Sequence, residues 1–287
     1  MLFYPHAKIN IGLQVLRKRG DGFHDISTLM YPVDWCDALE FVPLDGTAQM
    51  EHMEAAANAI RVGHDLFSTS GLPIPGSTNL CTDVLEQAHR SFNFPSVHLH
   101  LHKIIPMGAG LGGGSSDATF LWKALNSYWG WGLSDDEIRD RALQHGSDCP
   151  FFATDGPALA EGRGERLTPV ESFLHGVWVV ILHEGIHIST AKAYAAMQPL
   201  DHRPSLLELI QQPRAMWRQI IENDFENFAF AQHPVLERQV GEWYDAGAFY
   251  AGLTGSGSAI FALFEEEPNF SVAEEKLGRR IFRGRLA

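Results

Sequence analysis

Apolar residues recur at every second position near the start of the chain, and this alternation predicts a β-strand there. The positions that share this face are Ile9, Ile11, Leu13 and Val15. A second strand is predicted at 39–42, and a third at 97–102, where three histidines alternate with apolar residues. Residues 46–78 show no regular period. The N-terminal part of the chain is therefore expected to be rich in strands.

Two helices are predicted where apolar residues return every three or four positions. The first spans 80–89, and Thr78 or Asn79 is its expected cap. The second carries its apolar stripe at 118–125, and Gly130 supplies a natural end. Both helices flank the third predicted strand.

The rest of the chain continues as a mixture of the two element types. A capping-box sequence at 134–137 opens a helix that ends near Gly146. An apolar strand is predicted at 177–182, followed by two or three helices through Tyr244 and a strand at 260–264. Because strands and helices are interleaved without a regular βαβ series, the expected fold class is α+β.

Length and composition set the scale of the fold. The chain has 287 residues, of which 45% are hydrophobic, and this is enough to bury one large core or two smaller ones. Glycines and charged residues at 162–164 indicate a surface loop. We expect this loop to separate an N-terminal domain, residues 1–160, from a C-terminal domain, residues 161–287.

The charge balance and the cysteines narrow the possible partners and location. Lys and Arg number 22 against 35 Asp and Glu, a net charge of -13 that should repel nucleic acid. The three cysteines show no CxxC spacing, which favours a reducing compartment over a disulfide framework. No signal peptide is recognised, and the longest apolar run, 177–182, is too short to cross a membrane. The expected location is the cytoplasm.

A glycine-rich segment between the strand at 97–102 and the next helix holds the most informative chemistry. Glycine fills five of the seven positions from 108 to 114, and Ser115 and Ser116 follow. Such a loop lets a ligand approach the backbone, and the helix that follows presents free N–H groups to an anion. The segment predicts a cradle for a polyphosphate. The alternative is a flexible loop in which Ser115 only caps the helix.

Two other phosphate-binding loops fit this segment less well. No lysine follows the glycines, as a P-loop requires. Gly108, Gly110 and Gly113 satisfy the G-x-G-x-x-G spacing of dinucleotide-binding folds. That fold also needs a βαβ context with an acidic residue ending the second strand. Here 134–137, about twenty residues on, is a helix start, so hydride transfer is disfavoured.

Several polar residues carry both a structural and a functional interpretation. Lys8 and Asn10 share one strand face, which is either an exposed edge or a pair directed at a ligand. Asp148 follows a helix end and is either a turn-forming residue or a base for a substrate hydroxyl. Cys149 matches no nucleophile motif and is expected to be structural. The three histidines of 97–102 are about 7 Å apart in a strand, so we expect a polar face there rather than a metal site.

Three segments, in this order along the chain, resemble the signature motifs of the GHMP kinases (galactose, homoserine, mevalonate and phosphomevalonate kinases). They are residues 5–10, 106–118 and 253–258. The resemblance spans nearly the whole chain. Further stretches resemble the branch of this family whose alcohol substrate carries a cytidine, and they are residues 19–24, 147–152, 223–226 and 245–248.

The resemblance implies a fold and an activity. The fold would be the two-lobed GHMP kinase fold, with a ribosomal S5 domain 2-like N-terminal lobe, a ferredoxin-like C-terminal lobe and the active site in the cleft between them. The activity would be phosphoryl transfer from ATP, with Mg²⁺, to a hydroxyl of a small-molecule cytidyl substrate in isoprenoid precursor synthesis. No membrane or nucleic-acid partner is implied.

Roles for individual residues also follow from the resemblance. Asp148 would be the base that takes the hydroxyl proton, with Lys8 beside it to lower its pKa and stabilise the attacking oxygen. The positions that match ATP-binding residues are Pro106, Met107, Gly108, Ala109, Gly110, Leu111, Gly112, Gly113, Gly114, Ser115, Ser116, Asn79, Leu80, Lys103, Gly255, Ser256 and Gly257. The positions that match substrate-binding residues are Asn10, Phe23, His24, Thr190 and Tyr194. Phe23 would stack on the base and His24 would hydrogen-bond it, and no metal ligand is assigned.

The chain departs from the family pattern at three places. Phe23 stands where tyrosine is usual, His183-Glu184-Gly185 replaces a Pro-Gly pair, and the sequence after Leu80 is uncommon. Two alternatives stay open: a kinase of the same family for another alcohol, such as mevalonate or homoserine, and a non-catalytic nucleotide-binding protein on the same scaffold. The presence of both Lys8 and Asp148 disfavours the second.

Overall fold

The computed structural model describes residues 1–56, 59–74, 79–269 and 280–287, and it confirms the α+β class. The strands are β1 (Leu2–Phe3), β2 (His6–Lys18), β3 (His24–Cys36), β4 (Ala38–Pro43), β5 (Ile60–Val62), β6 (Asp65–Gly71), β7 (Val97–Lys103), β8 (Ala158–Gly162), β9 (Arg166–Pro169), β10 (Trp178–His183), β11 (Tyr250–Leu253), β12 (Ile260–Phe264) and β13 (Arg280–Arg285). The helices are α1 (Thr47–Ala56), α2 (Leu80–Ser91), α3 (Gly113–Trp129), α4 (Asp135–Leu143), α5 (Thr190–Ala196), α6 (Leu206–Leu209), α7 (Arg214–Ile220), α8 (Glu226–Gln232) and α9 (Pro234–Asp245), with a 3₁₀ helix at Cys149–Ala153.

The chain packs into two compact units that do not follow its linear order. The first unit comprises 1–7, 35–107 and 112–155. The second unit comprises 8–34, 108–111 and 156–287. Two segments that precede residue 160 therefore pack with the second unit. The boundary between an N-terminal and a C-terminal domain at residue 160 stays a prediction.

The first unit is built on a five-stranded sheet in the order β1-β4-β7-β6-β5. Strands β6 and β7 are parallel, and α2 provides the crossover between them. One face of the sheet contributes Leu99 and Leu101 to a core that includes Trp122 of α3. Because β7 alternates, its histidines lie on the opposite face. There Ser68 and Ser70 hydrogen-bond His98, His100 and His102 in turn, each at 2.8 Å.

The second unit contains two four-stranded sheets, in the orders β2-β3-β8-β9 and β11-β12-β10-β13. In the latter, β10 lies between β12 and β13 and is antiparallel to both. Numbered along the chain, this is the order 2-3-1-4, which is the ferredoxin-like arrangement that the resemblance implies. Helices α5, α8 and α9 contribute to an apolar core around Leu236 and Phe225.

The capping residues identified in the sequence lie at the ends of three helices. Asn79 caps α2 through a capping box, Gly130 ends α3 with a left-handed conformation, and Ser134 opens α4 with a capping box. Thr78, the alternative cap, lies outside the described residues. One expectation was wrong, because five helices rather than two or three lie between β10 and β11. The region 46–78, which shows no regular period, includes α1, β5 and β6. Helix α1 gathers no apolar stripe, and four of the five later helices have seven residues or fewer, too few to show a period.

Candidate active site

Parts of the three motif segments meet inside the second unit. The ammonium of Lys8, which is buried, donates to the carbonyl oxygen of Gly110 at 2.9 Å and to the side-chain oxygen of Asn10. The Thr254 hydroxyl accepts from the backbone N–H of Asn10 at 3.0 Å and donates to the same Gly110 carbonyl at 3.0 Å. The Gly110 carbonyl is therefore held by a lysine from the first motif and a threonine from the third.

This junction requires glycine at two positions. Gly110 has φ +80°, and a Cβ atom there would lie 2.0 Å from the Thr254 carbonyl oxygen. Gly255 has φ +57°, and its Cβ would lie 3.3 Å from both the Asn10 side-chain oxygen and the Cα of Gly110. Left-handed backbone already disfavours other residues, and the close approach of two main chains leaves no room for a side chain.

The side chains of Asn223, which is buried, and Glu226, which is half-buried, hydrogen-bond the backbone of the third motif. The Asn223 amide donates to the carbonyl oxygens of Leu253 and Gly255 at 2.9 and 2.8 Å. The Glu226 carboxylate accepts from the backbone N–H of Leu253 at 2.8 Å. On the outer side, the hydroxyls of Ser256 and Thr190 are 2.8 Å apart. One predicted phosphate residue and one predicted substrate residue are thus neighbours.

We expect the carboxyl of Glu226 to make stability pH-dependent. Burial raises its pKa to about 7, partly offset by the Leu253 hydrogen bond. The folded protein then binds this proton more tightly than the unfolded chain does. The unfolding free energy should therefore fall as pH rises from the ordinary value of 4.5 to about 7. Glu226→Gln should remove this fall and be more stable than wild type at pH 8 by roughly 2 kcal/mol.

Urea unfolding of both proteins at pH 5 and pH 8 measures this effect. Glu237→Gln, an exposed position on α9, is the matched control and should change neither curve. A stability difference between wild type and Glu226→Gln that is the same at both pH values would contradict the assignment.

The start of α3 forms the remaining part of the glycine-rich loop, in the first unit. The helix begins at Gly113, and its cap is Gly112 at φ +71° without any side-chain hydrogen bond. Ser115 is inside the helix, so the alternative in which it caps the helix is wrong. The uncapped N–H groups of the first turn are available to an anion. The Ser116 hydroxyl is buried, and it has no hydrogen-bond partner among the described residues.

The turn that carries Asp148 lies beside the first turns of α3, in the first unit. The Thr119 hydroxyl is 2.9 Å from the carbonyl oxygens of both Ser115 and Cys149. Asp148 is half-buried and precedes the 3₁₀ helix. Burial raises the pKa of the Cys149 thiol to about 11. The thiol therefore stays protonated at neutral pH, which agrees with a structural cysteine.

Lys103 occupies a buried ion cluster of the first unit. Its ammonium donates to Asp117 at 2.8 Å and to Asp37. Burial opposes its charge, but Asp117 and Asp37 outweigh this and raise the pKa of Lys103. A Cβ atom on Gly113 would lie 2.8 Å from the same ammonium, so the cluster supports the start of α3. Any contact between Lys103 and a nucleotide would have to use its backbone or its methylene groups.

The other predicted nucleotide positions of the first unit have structural contacts as well. The Asn79 side chain accepts from the backbone N–H of Cys81 at 2.8 Å, and Leu80 packs against the core. Pro106 is buried, whereas 36% of Met107 is exposed. Of these four positions, Met107 has the largest exposed fraction.

Two predicted substrate residues of the second unit, His24 and Tyr194, contact each other through their aromatic rings. The rings of His24 and Tyr194 stack with their centroids 5.1 Å apart. Burial and the charge of Lys18 lower the pKa of His24. The imidazole is therefore neutral at pH 7, with one nitrogen able to donate and the other to accept a hydrogen bond. Phe23 is next in sequence, and 52% of the residue is exposed.

Sequence reasoning missed several residues that fix these groups in place. They are Thr28, Asp37, Asp117, Asn223, Thr254 and Glu226. Thr254 stands within a recognised motif, which was the available signal. Asp117 lies within segment 106–118, and Asn223 and Glu226 lie within 223–226, but the resemblance assigned none of them a role. Thr28 and Asp37 are single polar residues whose partners are distant in sequence, and no local pattern marks them.

The comparisons with known proteins show the family to which the chain belongs. Residues 79–156 match the family described as GHMP kinases N terminal domain, and residues 205–283 match GHMP kinases C terminal. The chain belongs to the GHMP kinases. It is therefore an ATP-dependent small-molecule kinase, a phosphotransferase with an alcohol as acceptor.

Two relatives of similar length carry the name 4-diphosphocytidyl-2-C-methyl-D-erythritol kinase. The protein from Parabacteroides distasonis is 38% identical over 94% of both chains. That from Bacteroides thetaiotaomicron is 37% identical over 100% of both.

Solved structures give the same picture of the fold. A crystal structure of 4-(cytidine 5'-diphospho)-2C-methyl-D-erythritol kinase has a TM-score of 0.73 at 29% identity, covering 92% of this chain and 90% of that one. Methanococcus jannaschii mevalonate kinase has a TM-score of 0.68 at 15% identity, covering 100% and 98%, and shows the fold alone. Within the described ranges of this chain, no helix combines the length and apolar character needed to span a bilayer.

Proposed function

We propose that this chain phosphorylates the 2-hydroxyl of 4-diphosphocytidyl-2-C-methyl-D-erythritol with ATP, a step of the methylerythritol phosphate route to isoprenoid precursors. The observation that carries the proposal is the aromatic group in the second unit. A neutral His24 stacks on Tyr194, and the exposed ring of Phe23 adjoins it in sequence. A flat exposed ring can stack on a base, and an imidazole with one donor and one acceptor can pair with its polar edge. The shared name of the relatives supports this substrate.

Two residues act in the transfer, one on the proton of the substrate hydroxyl and one on the negative charge of the attacking oxygen. Asp148 accepts the proton of the substrate hydroxyl while the oxygen attacks the γ-phosphorus of ATP and the bond to ADP breaks. The ammonium of Lys8 stabilises negative charge on the attacking oxygen. Its position is fixed by the Gly110 carbonyl and the Asn10 amide oxygen.

The backbone of 108–114 and the first turn of α3 would bind the triphosphate. Free N–H groups and the positive end of the helix dipole suit its negative charge. Gly255, Ser256 and Gly257 would contact the same phosphates from the third motif. Such contacts are typical of enzymes that transfer phosphoryl groups, in which positioning and charge stabilisation supply most of the rate enhancement.

Mg²⁺ would neutralise the charge of the phosphates during transfer. Among residues of the described ranges, no group of three or more His, Cys, Asp or Glu side chains is arranged to hold a metal. Mg²⁺ in kinases is commonly bound through nucleotide phosphates, water and one or two protein ligands. The hydroxyl of Ser116 at the start of α3 is buried without a hydrogen-bond partner among the described residues, and it would be one protein ligand of the ion.

Competition by free cytidine nucleotides tests the substrate class. CDP should raise the KM for the cytidyl substrate, because both would occupy the site at Phe23 and His24, and it should do so more strongly than UDP. The measurement is the rate of ADP formation at fixed ATP, with parallel reactions on mevalonate and homoserine. Turnover on mevalonate or homoserine without any effect of CDP would keep the kinase but discard the cytidyl substrate.

A further inference from the structure

An exposed aromatic ring lies in the turn between β2 and β3. Phe23 is 52% exposed, although burying a phenylalanine would gain about 2 kcal/mol. Among the described residues, Phe23 has one aromatic or cation–π contact, and it is with Arg163. The guanidinium carbon of Arg163 lies over the ring, 4.9 Å from its centroid. The guanidinium therefore lies over the ring, and about half of the residue stays accessible to solvent.

The backbone of this turn is well anchored, whereas the ring is not. The side chain of Asp21 accepts from the backbone N–H of Phe23 at 3.1 Å, and the Phe23 carbonyl accepts from the backbone N–H of Arg19 at 2.8 Å. The guanidinium of Arg19 pairs with Asp21 and Asp25 at 3.0 and 2.9 Å. Phenylalanine has no polar atom, so its ring direction depends on packing. The cation–π contact with the Arg163 guanidinium can determine the orientation of the ring.

Arg163 comes from a neighbouring tight turn, the one that joins β8 to β9. Its backbone N–H donates to the Glu165 carboxylate at 2.6 Å, and the backbone N–H of Gly164 donates to the Glu161 carbonyl at 3.0 Å. Strand β8 pairs with β3, so the two turns are brought together by the sheet. The guanidinium of Arg163 forms no ion pair with a described residue, although the chain has a net charge of -13. The aromatic ring takes the place of a carboxylate as its partner.

We propose that Arg163 is a positioning residue that determines how the chain binds the pyrimidine base of its substrate. Its guanidinium holds the Phe23 ring on one face, so that the opposite face is presented to the base as a fixed stacking surface. Preorganising a contact surface in this way lowers the cost of ordering it on binding. The inference rests on the proposed function, which assigns a cytidyl substrate to this chain.

Steady-state kinetics of Arg163→Met tests this role. The substitution keeps side-chain bulk but removes the planar cation. We expect the KM for the cytidyl substrate to rise about five- to tenfold. The kcat, the KM for ATP and the melting temperature should stay near wild type. Arg166→Met is the matched control, because Arg166 lies in the same hairpin and is exposed. It should match wild type in every parameter.

A double-mutant cycle with Phe23→Leu shows whether Arg163 acts through the ring. In the Phe23→Leu background, adding Arg163→Met should raise the KM no further, because the ring it orients is gone. An undiminished rise in that background would overturn the inference, as would equal kinetics for Arg163→Met and Arg166→Met. If wild type neither phosphorylates the cytidyl substrate nor binds CDP in calorimetry, the proposed function fails and this inference fails with it.

Discussion

Asp148→Asn is expected to lower kcat by about a thousandfold, the effect of removing a general base. Asparagine keeps the size of the side chain and can still accept a hydrogen bond in the turn, but it cannot take the proton of the substrate hydroxyl. The turn itself is tied to α3 through Thr119 and the Cys149 carbonyl oxygen, so the fold should persist. The change should therefore appear in turnover, while ATP binding and the melting temperature stay near wild type.

The measurement pairs initial rates of ADP formation with calorimetric ATP binding. Asp155→Asn is the matched control, since Asp155 is exposed at the other end of the same short segment. It should retain full activity. Wild-type turnover by Asp148→Asn would remove Asp148 from the mechanism, and a loss of ATP binding would show that the substitution disturbs the loop instead.

Gly110→Ala should produce the largest loss of stability and of ATP binding from a single methyl group. The new Cβ would lie 2.0 Å from the Thr254 carbonyl oxygen in a backbone with φ +80°. Left-handed strain and overpacking together should lower the unfolding free energy by about 3 kcal/mol or more. The Gly110 carbonyl would also move away from Lys8, so kcat/KM for ATP should fall with it.

Gly130→Ala separates the two causes. Gly130 has a similar φ of +61°, but a Cβ there would meet nothing within 4 Å. Its cost should be limited to the strain of the left-handed conformation, about 1 kcal/mol, without any effect on ATP. Urea unfolding and the KM for ATP compare the two variants. Equal losses in both would contradict the close junction of the second and third motifs.

Local periodicity predicted the elements whose side chains divide cleanly between core and solvent. The strand at 9–15, the helix that Asn79 caps and the helix that Gly130 ends belong to this group. Helix α1 was missed because its apolar residues do not gather on one face. The grouping of 8–34 and 108–111 with the C-terminal half was missed because it depends on packing between distant segments.

The features of the candidate site also divide into those that have a local sequence signature and those that do not. The glycine-rich loop was recognisable because a polyphosphate cradle needs backbone freedom followed by a helix start, and both leave a local signature. The hydrogen bonds that join Asn10, Gly110 and Thr254 leave no such signature, since their partners are far apart in sequence. The ion cluster of Lys103 with Asp37 and Asp117 also depends on residues far apart in sequence, and the role of Lys103 in nucleotide binding stays a prediction.

The most direct test of the proposed function is the phosphorus NMR spectrum of the product formed from ATP and 4-diphosphocytidyl-2-C-methyl-D-erythritol. We expect one new phosphomonoester resonance on the 2-oxygen of the methylerythritol, an intact diphosphate bridge to cytidine, and one equivalent of ADP. Formation of ADP without that resonance, or phosphorylation at another hydroxyl, would contradict the proposed reaction.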